Sequence, residues 1–172
     1  DVFMLHEVRN GSDWTERAGA WECLLEAKAK GLVRAVGIST HHVDVAAHAA
    51  TVPEMDVLFP LINLRSLGIR HGDGAGTKED MASAILAAHK AGVGVFAMKA
   101  FGGGNLTGHY REAIEYVRGL PGIESIMIGF GTHEEVDRIM DLVNGTLPSD
   151  YTPQTAHKKI RIDQGDCLGC RI

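Results

Sequence analysis

Gly31-Leu32-Val33-Arg34-Ala35-Val36-Gly37-Ile38-Ser39-Thr40 is the stretch on which the fold turns. A glycine closes a helical pattern, an apolar run of strand length follows, and two hydroxyl residues end it. The run over 32–38 is apolar on both faces apart from Arg34, as in a parallel strand covered on both sides. Upstream, Ala18, Trp21, Leu24, Leu25 and Ala29 recur at helical spacing and predict a helix over 14–30, with Gly31 at its C-terminal cap. Before it, Asn10-Gly11-Ser12-Asp13 reads as a turn with a helix N-cap, and 2–8 as another apolar strand. Downstream the alternation continues: a short helix over 43–50, a strand over 56–62 and a Gly-rich loop over 66–76. Thr77-Lys78-Glu79-Asp80 reads as a capping box, with Thr77 as N-cap, and opens a helix that runs to Lys90 and ends at Gly92. A strand over 93–98, a loop over 102–105, a helix over 109–118 and a strand over 123–128 follow. Thr132-His133-Glu134-Glu135 is a second capping box, for a helix to about Val143.

Strands therefore start near residues 2, 33, 57, 93 and 123, a βα repeat with spacings of 31, 24, 36 and 30. Such repeats make a closed barrel or an open doubly wound sheet. No G-x-G-x-x-G follows the first strand, which removes the best support for a dinucleotide fold of the second kind. A (β/α)₈ barrel takes about 250 residues, so five units are most of one and not all. The composition is that of an ordinary soluble globular chain: 172 residues, 45% hydrophobic, 23% charged, net charge −5. The acidic balance argues against a nucleic-acid partner, and no apolar run reaches the roughly 18 residues of a membrane span. Three cysteines and no basic leader fit a reducing, cytoplasmic setting. The chain opens on Asp1 inside strand pattern, which reads as a cut N-terminus. An open five-strand piece leaves two sheet edges bare and is expected to self-associate. Past Asn144 periodicity fades; 1–145 reads as the barrel part, 146–166 as a linker with Pro148 and Pro153, and 167–172 as the start of a cysteine motif, Cys167-Leu168-Gly169-Cys170.

Four segments then stand together in order and spacing: Asp1-Val2-Phe3-Met4-Leu5-His6, the 31–39 stretch, Ala97-Met98-Lys99-Ala100-Phe101-Gly102-Gly103-Gly104, and Ile128-Gly129-Phe130-Gly131-Thr132 with Glu134-Glu135-Val136. They resemble, in turn, the aldo/keto reductases' strand ending in the active-site His, their fifth helix-to-strand step, the end of their seventh strand, and their eighth strand with its cofactor-binding helix. Met98-Lys99 together with the terminal cysteine pair is similar to the branch that carries a ferredoxin-like [4Fe–4S] tail. The resemblance implies strands four to eight of a (β/α)₈ TIM barrel, the first three strands being absent, and a chain truncated at both ends. It implies hydride transfer between NAD(P)H and a small carbonyl or alcohol substrate. The family's tetrad is Asp, Tyr, Lys and His; the first three belong to the missing strands, so the chain alone is not expected to turn over.

The resemblance assigns His6 as the catalytic residue that orients a substrate carbonyl; by itself such a His is a core residue bonded to a neighbour. Ser39 and Thr40 would hold the nicotinamide carboxamide through hydroxyls that both donate and accept, or else N-cap the next helix. Asn63 joins this set, with a turn-bonding role as its alternative. The family's carboxamide-binding Gln is replaced by Phe59. Met98 would pack on the nicotinamide or simply fill core, and Lys99 would face a phosphate or substrate or carry a solvated charge. Gly102, Gly103, Gly104 and Asn105 would fold over the pyrophosphate, or form a flexible turn. Gly131 and Thr132 would present helix N–H groups to the adenosine phosphate, or serve as a plain capping box; the acidic Glu134 and Glu135 weaken the case for NADP over NAD. Cys167 and Cys170 match the first two positions of the bacterial cluster run, with half a zinc site or a dithiol pair as competing readings. Cys23, within a helix, is expected to be buried. The His residues show no metal-ligand spacing. Two further readings of the chain are an electron-transfer protein, with a redox partner, and a non-catalytic barrel-derived binding module.

Overall fold

The computed structural model describes residues 1–154. Five apolar runs form one parallel sheet: β1 (Val2–Leu5), β2 (Ala35–Thr40), β3 (Val57–Pro60), β6 (Gly94–Ala97) and β7 (Ser125–Ile126). A hairpin of β4 (Arg70–His71) and β5 (Gly74–Ala75) stands apart from it. The helices are α1 (Gly11–Glu16), α2 (Ala18–Ala29), α3 (Val43–Ala49), α4 (Lys78–Lys90), α5 (Tyr110–Arg118) and α6 (His133–Asn144). Sheet order is β1-β2-β3-β6-β7, so each strand lies beside its predecessor in the sheet. A doubly wound sheet reverses direction once; this one does not, and its order is that of consecutive barrel strands.

Register separates two faces. Val36, Ile38, Leu58, Val95 and Ala97 point to the helices and are all but fully buried. On the other face Met4 lies beside Gly37, Gly37 beside Val57 and Ser39 beside Phe59. That face is only partly covered: Phe59 and Phe96 are half-buried and stack with centroids 4.3 Å apart. β1 pairs only with β2, and β7 only with β6, so both sheet edges are open among the described residues. Phe3 is 58% exposed at one edge and Met127 55% at the other.

Asp56 stitches the layers together. Both its carboxylate oxygens accept from Lys28 Nζ of α2 at 2.6 Å, and one also accepts from the Val36 N–H at 2.9 Å. Its own N–H donates to Val36 O and its carbonyl accepts from Gly94 N–H. Gly37 is the second constraint. A Cβ there would lie 2.0 Å from the Val57 carbonyl oxygen, on backbone that cannot step aside.

Local signals behave as their chemistry dictates. Thr77 caps α4 by accepting from Asp80 N–H at 3.1 Å, and its hydroxyl donates to the Asp80 carboxylate at 2.7 Å. Gly31 sits at φ 71 just past α2. Four expectations are corrected. The single helix over 14–30 is two helices that meet at Arg17, φ −97 and ψ 11, because Asn10 starts α1 early by accepting from Asp13 N–H. Cys23 is exposed, since α2 turns Trp21 inward instead. The loop over 66–76 contains the β4–β5 hairpin, and the strand over 123–128 is cut to two paired residues. Apart from these four, the described start of the 146–166 segment packs against α5: Leu147 is buried, Arg111 donates to its carbonyl at 2.8 Å, and Tyr151 meets Tyr110 edge-on at 5.3 Å. Tyr110 in turn stacks on Phe101 at 5.0 Å.

Gly37→Ala is expected to cost about 3 kcal/mol or more, because the added methyl meets backbone. Asp56→Ala is expected to cost about 2 kcal/mol through loss of its charge-assisted bonds. Urea midpoints check both. Burial, reinforced by Tyr151 and Glu135, pushes the Tyr110 phenol up to about 12. The unfolded phenol ionises near about 10, so this contribution is whole below that pH and is lost as pH climbs toward 12. Stability measured from pH 9 to 12 should fall, and Tyr110→Phe should flatten the fall.

Candidate active site

The site is built where the parallel strands end, the face on which barrel chemistry is assembled. His6 follows β1 directly. Its Nδ1 lies 3.0 Å from Ser39 Oγ, which also accepts from the Glu7 N–H at 2.8 Å. Ser39 O accepts from Val8 N–H at 2.9 Å, so β1 and β2 stay joined past their last ladder pair. His6 is exposed and Ser39 buried; with Met4 and Phe59 they line a shallow pocket of about 290 Å³ on the partly covered sheet face. Behind His6, Arg17 donates to its carbonyl at 2.7 Å and pairs with Asp13 at 2.9 Å. Burial works against the Asp13 charge, yet the Arg9 N–H and the Arg17 and Arg9 guanidiniums together hold its carboxyl below the usual range.

Thr40 points to the opposite side from Ser39. It is fully buried, and its hydroxyl donates to Val8 O at 2.6 Å and accepts from His42 N–H at 3.0 Å. Both capacities are thereby used within the protein. Neither hydroxyl caps α3: the cap position is His42, without a side-chain bond. Asn63 is also fully buried. Its amide donates to Leu67 O and its carbonyl accepts from the Arg65 and Leu67 N–H groups, so it knots the turn after β3.

Met98 is buried at the end of β6, and Lys99 beside it is exposed in left-handed backbone, φ 59. Gly102, Gly103 and Gly104 are left-handed as well, and Asn105 closes their turn by donating to Gly102 O at 2.8 Å. A Cβ on Gly103 or Gly104 would meet nothing within 4 Å, so a ligand can approach this backbone closely. That openness fits a phosphate-bearing cofactor. Gly131 and Thr132 precede α6, but the Gly131 N–H donates to the Glu135 carboxylate at 2.7 Å, while Thr132 accepts from Glu135 N–H. This helix start is filled by its own acid.

The structure thus gathers His6 and Ser39 at one pocket. It gathers Lys99, Gly102 and Gly103 at a second cleft of about 370 Å³, with Glu7, His41, His42 and Arg70. Gly131, Thr132 and Asn105 line neither. Sequence reading missed Glu7, His42 and Arg70 as site residues. Their one sequence signal was the His41-His42 pair after Thr40; Arg70 reaches the cleft because the β4–β5 hairpin folds back, its N–H donating to His41 O at 2.9 Å. Burial and then the Lys99 charge lower the His41 pKa, which favours its neutral ring. Cys167 and Cys170 lie outside the described residues. Among the described residues no group of three or more His, Cys, Asp or Glu side chains could hold a metal ion.

Residues 1–149 match the aldo/keto reductase family. No curated protein gives a significant match. Two solved structures, each described as a "putative aldo-keto reductase" from Pseudomonas aeruginosa, superpose with TM-scores of 0.65 and 0.64 at 20% identity. Each alignment covers 85% of this chain and 52% of the solved one, so the chain spans about half their length. At that identity the likeness speaks for the fold; the family match spans most of the sequence, and the chain belongs to the aldo/keto reductase family.

Proposed function

We propose that the chain forms strands four to eight of a reductase (β/α)₈ barrel, and that the whole protein moves hydride between NAD(P)H and a small carbonyl or alcohol substrate. The observation that carries this is the His6–Ser39 pair at the strand ends, beside a pocket on the face a barrel would enclose. The nicotinamide cofactor supplies or accepts the hydride. Everything else asked of this chain is binding, orientation and proton placement.

Ser39 sets up His6. Its oxygen accepts from the Glu7 N–H, so its single proton is free to go to His6 Nδ1. The His6 proton then sits on Nε2, a donor for a carbonyl oxygen. A hydrogen bond there polarises the carbonyl and steadies the charge that develops as hydride arrives. Ser39 would also hold the nicotinamide carboxamide. Thr40 and Asn63 would steady the backbone around the cofactor through the bonds described above, and the buried Met98 would pack on the nicotinamide. The open backbone from Gly102 to Asn105 would receive the pyrophosphate, and the loop's aromatic brace of Phe101 and Tyr110 would hold it in place. Gly131 and Thr132 would reach an adenosine phosphate only after Glu135 releases the Gly131 N–H, which favours NAD over NADP at that end.

The family's Asp, Tyr and Lys have no counterpart in these residues and would come from the other half of the barrel. Cys167 and Cys170 would begin an iron–sulfur tail, ligating a cluster with further cysteines and passing electrons to a redox partner. No described helix is long and apolar enough to cross a membrane. A reducing cytoplasmic setting is part of the same proposal, as is the lack of a nucleic-acid partner.

The test uses the whole protein that carries this chain, with NADH or NADPH and a panel of small aldehydes and ketones. His6→Ala should lower kcat about 10²-fold with an unchanged thermal midpoint. Ser39→Ala should lower kcat less and shift the pH profile, since it acts through His6. Undiminished kcat in His6→Ala, or no carbonyl reduction by the wild type, overturns the reading.

A further inference from the structure

Both tryptophans of the chain stand together, and one of them walls a pocket that shares no residue with either cleft of the candidate site. Trp21 is buried core. Trp14, on α1, is only half-buried. Its ring meets Trp21 with centroids 5.2 Å apart and the His48 ring edge-on at 5.8 Å. Between it and α3 lies a pocket of about 150 Å³, lined by Asn10, Gly11, Trp14, Asp44, Val45 and His48.

Asp44 and His48 are four residues apart in α3, so they sit one turn apart on one face of the helix. Among the described residues no cationic side chain lies within ion-pair distance of the Asp44 carboxylate. Its one hydrogen bond, from the Gly72 N–H, is long at 3.5 Å. No Lys or Arg lines the pocket, so its carboxylate charge stands uncompensated. His48 adds a second acceptor. The Thr51 hydroxyl gives its single proton to His48 O at 2.8 Å, so its oxygen accepts from His48 Nδ1 at 3.1 Å. The lone pair of the neutral ring is then on Nε2.

We propose that Trp14, Asp44 and His48 form a binding site for an organic ammonium group. The carboxylate supplies the opposite charge and accepts one N–H, and His48 Nε2 accepts another. The indole adds the attraction of its π face for a cation. Val45 and the same ring give an alkyl stem an apolar wall. An anion would meet Asp44, and a hard metal ion would want more oxygen ligands than one carboxylate provides. The ammonium group has two sources, a free amine or a lysine side chain on another protein. The site uses none of the residues assigned to hydride transfer, so it stands or falls apart from that reading.

NMR of the indole N–H groups in the whole protein tests it at low salt, with n-butylammonium as the probe. The Trp14 signal is identified by its loss in Trp14→Leu. It should shift and saturate with n-butylammonium, and n-butanol should produce no saturable shift. Asp44→Asn and His48→Leu should each weaken binding about 10-fold or more. Glu54→Gln, at an exposed acid outside the pocket, should leave it unchanged. Circular dichroism identifies the variants that fold. Tighter binding of 1,4-diaminobutane than of Nα-acetyl-lysine amide assigns a free amine, and the reverse order assigns a lysine side chain. A shift that never saturates, an equal response to n-butanol, or wild-type affinity in either folded variant overturns the site.

Discussion

Everything in this structure hangs on β2 lying flush between β1 and β3. Gly37 makes that possible, because the Val57 carbonyl occupies the place where a Cβ would be. With the three strands in register, alternation does the rest. Ile38 turns to the helices and anchors the core, while Ser39 turns to the partly covered face and meets His6. A slip of one residue would exchange those two faces, putting a hydroxyl in the core and an isoleucine at the site. Asp56 guards the same register from the other end of the strands, where it ties α2, β2, β3 and β6 together.

The two ends of the sheet consequently carry different work. At the start of the strands a carboxylate and a lysine lock backbone, and their value is stability. At the finish, chain turns and side-chain bonds from Ser39, Thr40, Asn63 and Arg17 hold the arrangement. Glu7 and Lys99 adopt left-handed backbone directly after His6 and Met98, and Ser66 does so beyond β3. Backbone strain thus gathers at the strand ends, beside two pockets. Ser39 and Thr40 show how finely this is divided. They are adjacent hydroxyls, but one faces the pocket and the other spends both hydrogen-bonding capacities on Val8 and His42.

Much of the fold was legible in the residues. The five apolar runs, Thr77 and Thr132 as N-caps, and the glycines that close helices are local signals, and local chemistry settles them. Boundaries that depend on distant partners were not legible. The strand read over 123–128 pairs at only two residues, because pairing needs β6 alongside it. Arg17 breaks a helix that reads as continuous, where the chain must turn to let α1 start at Asn10 and α2 pack Trp21. Cys23 looked like core by residue type and proved exposed by helix phase. Of the candidate site, the contact between His6 and Ser39 comes from strand register, which no local signal announces, and Arg70 came to its cleft through a hairpin hidden in a glycine-rich run.

By itself the amino-acid sequence determined the order of the five main strands, the parallel class of their sheet and the caps of α4 and α6, since each follows from spacing and backbone chemistry within a few residues. The resemblance of its ordered segments also pointed to the right family. Only the tertiary structure decided which of two neighbouring hydroxyls faces the pocket, which cations converge on one cleft, and that the start of α6 is occupied by its own glutamate. Those outcomes rest on contacts between residues tens of positions apart, whose distances are fixed by sheet register and loop return and by nothing local in the chain.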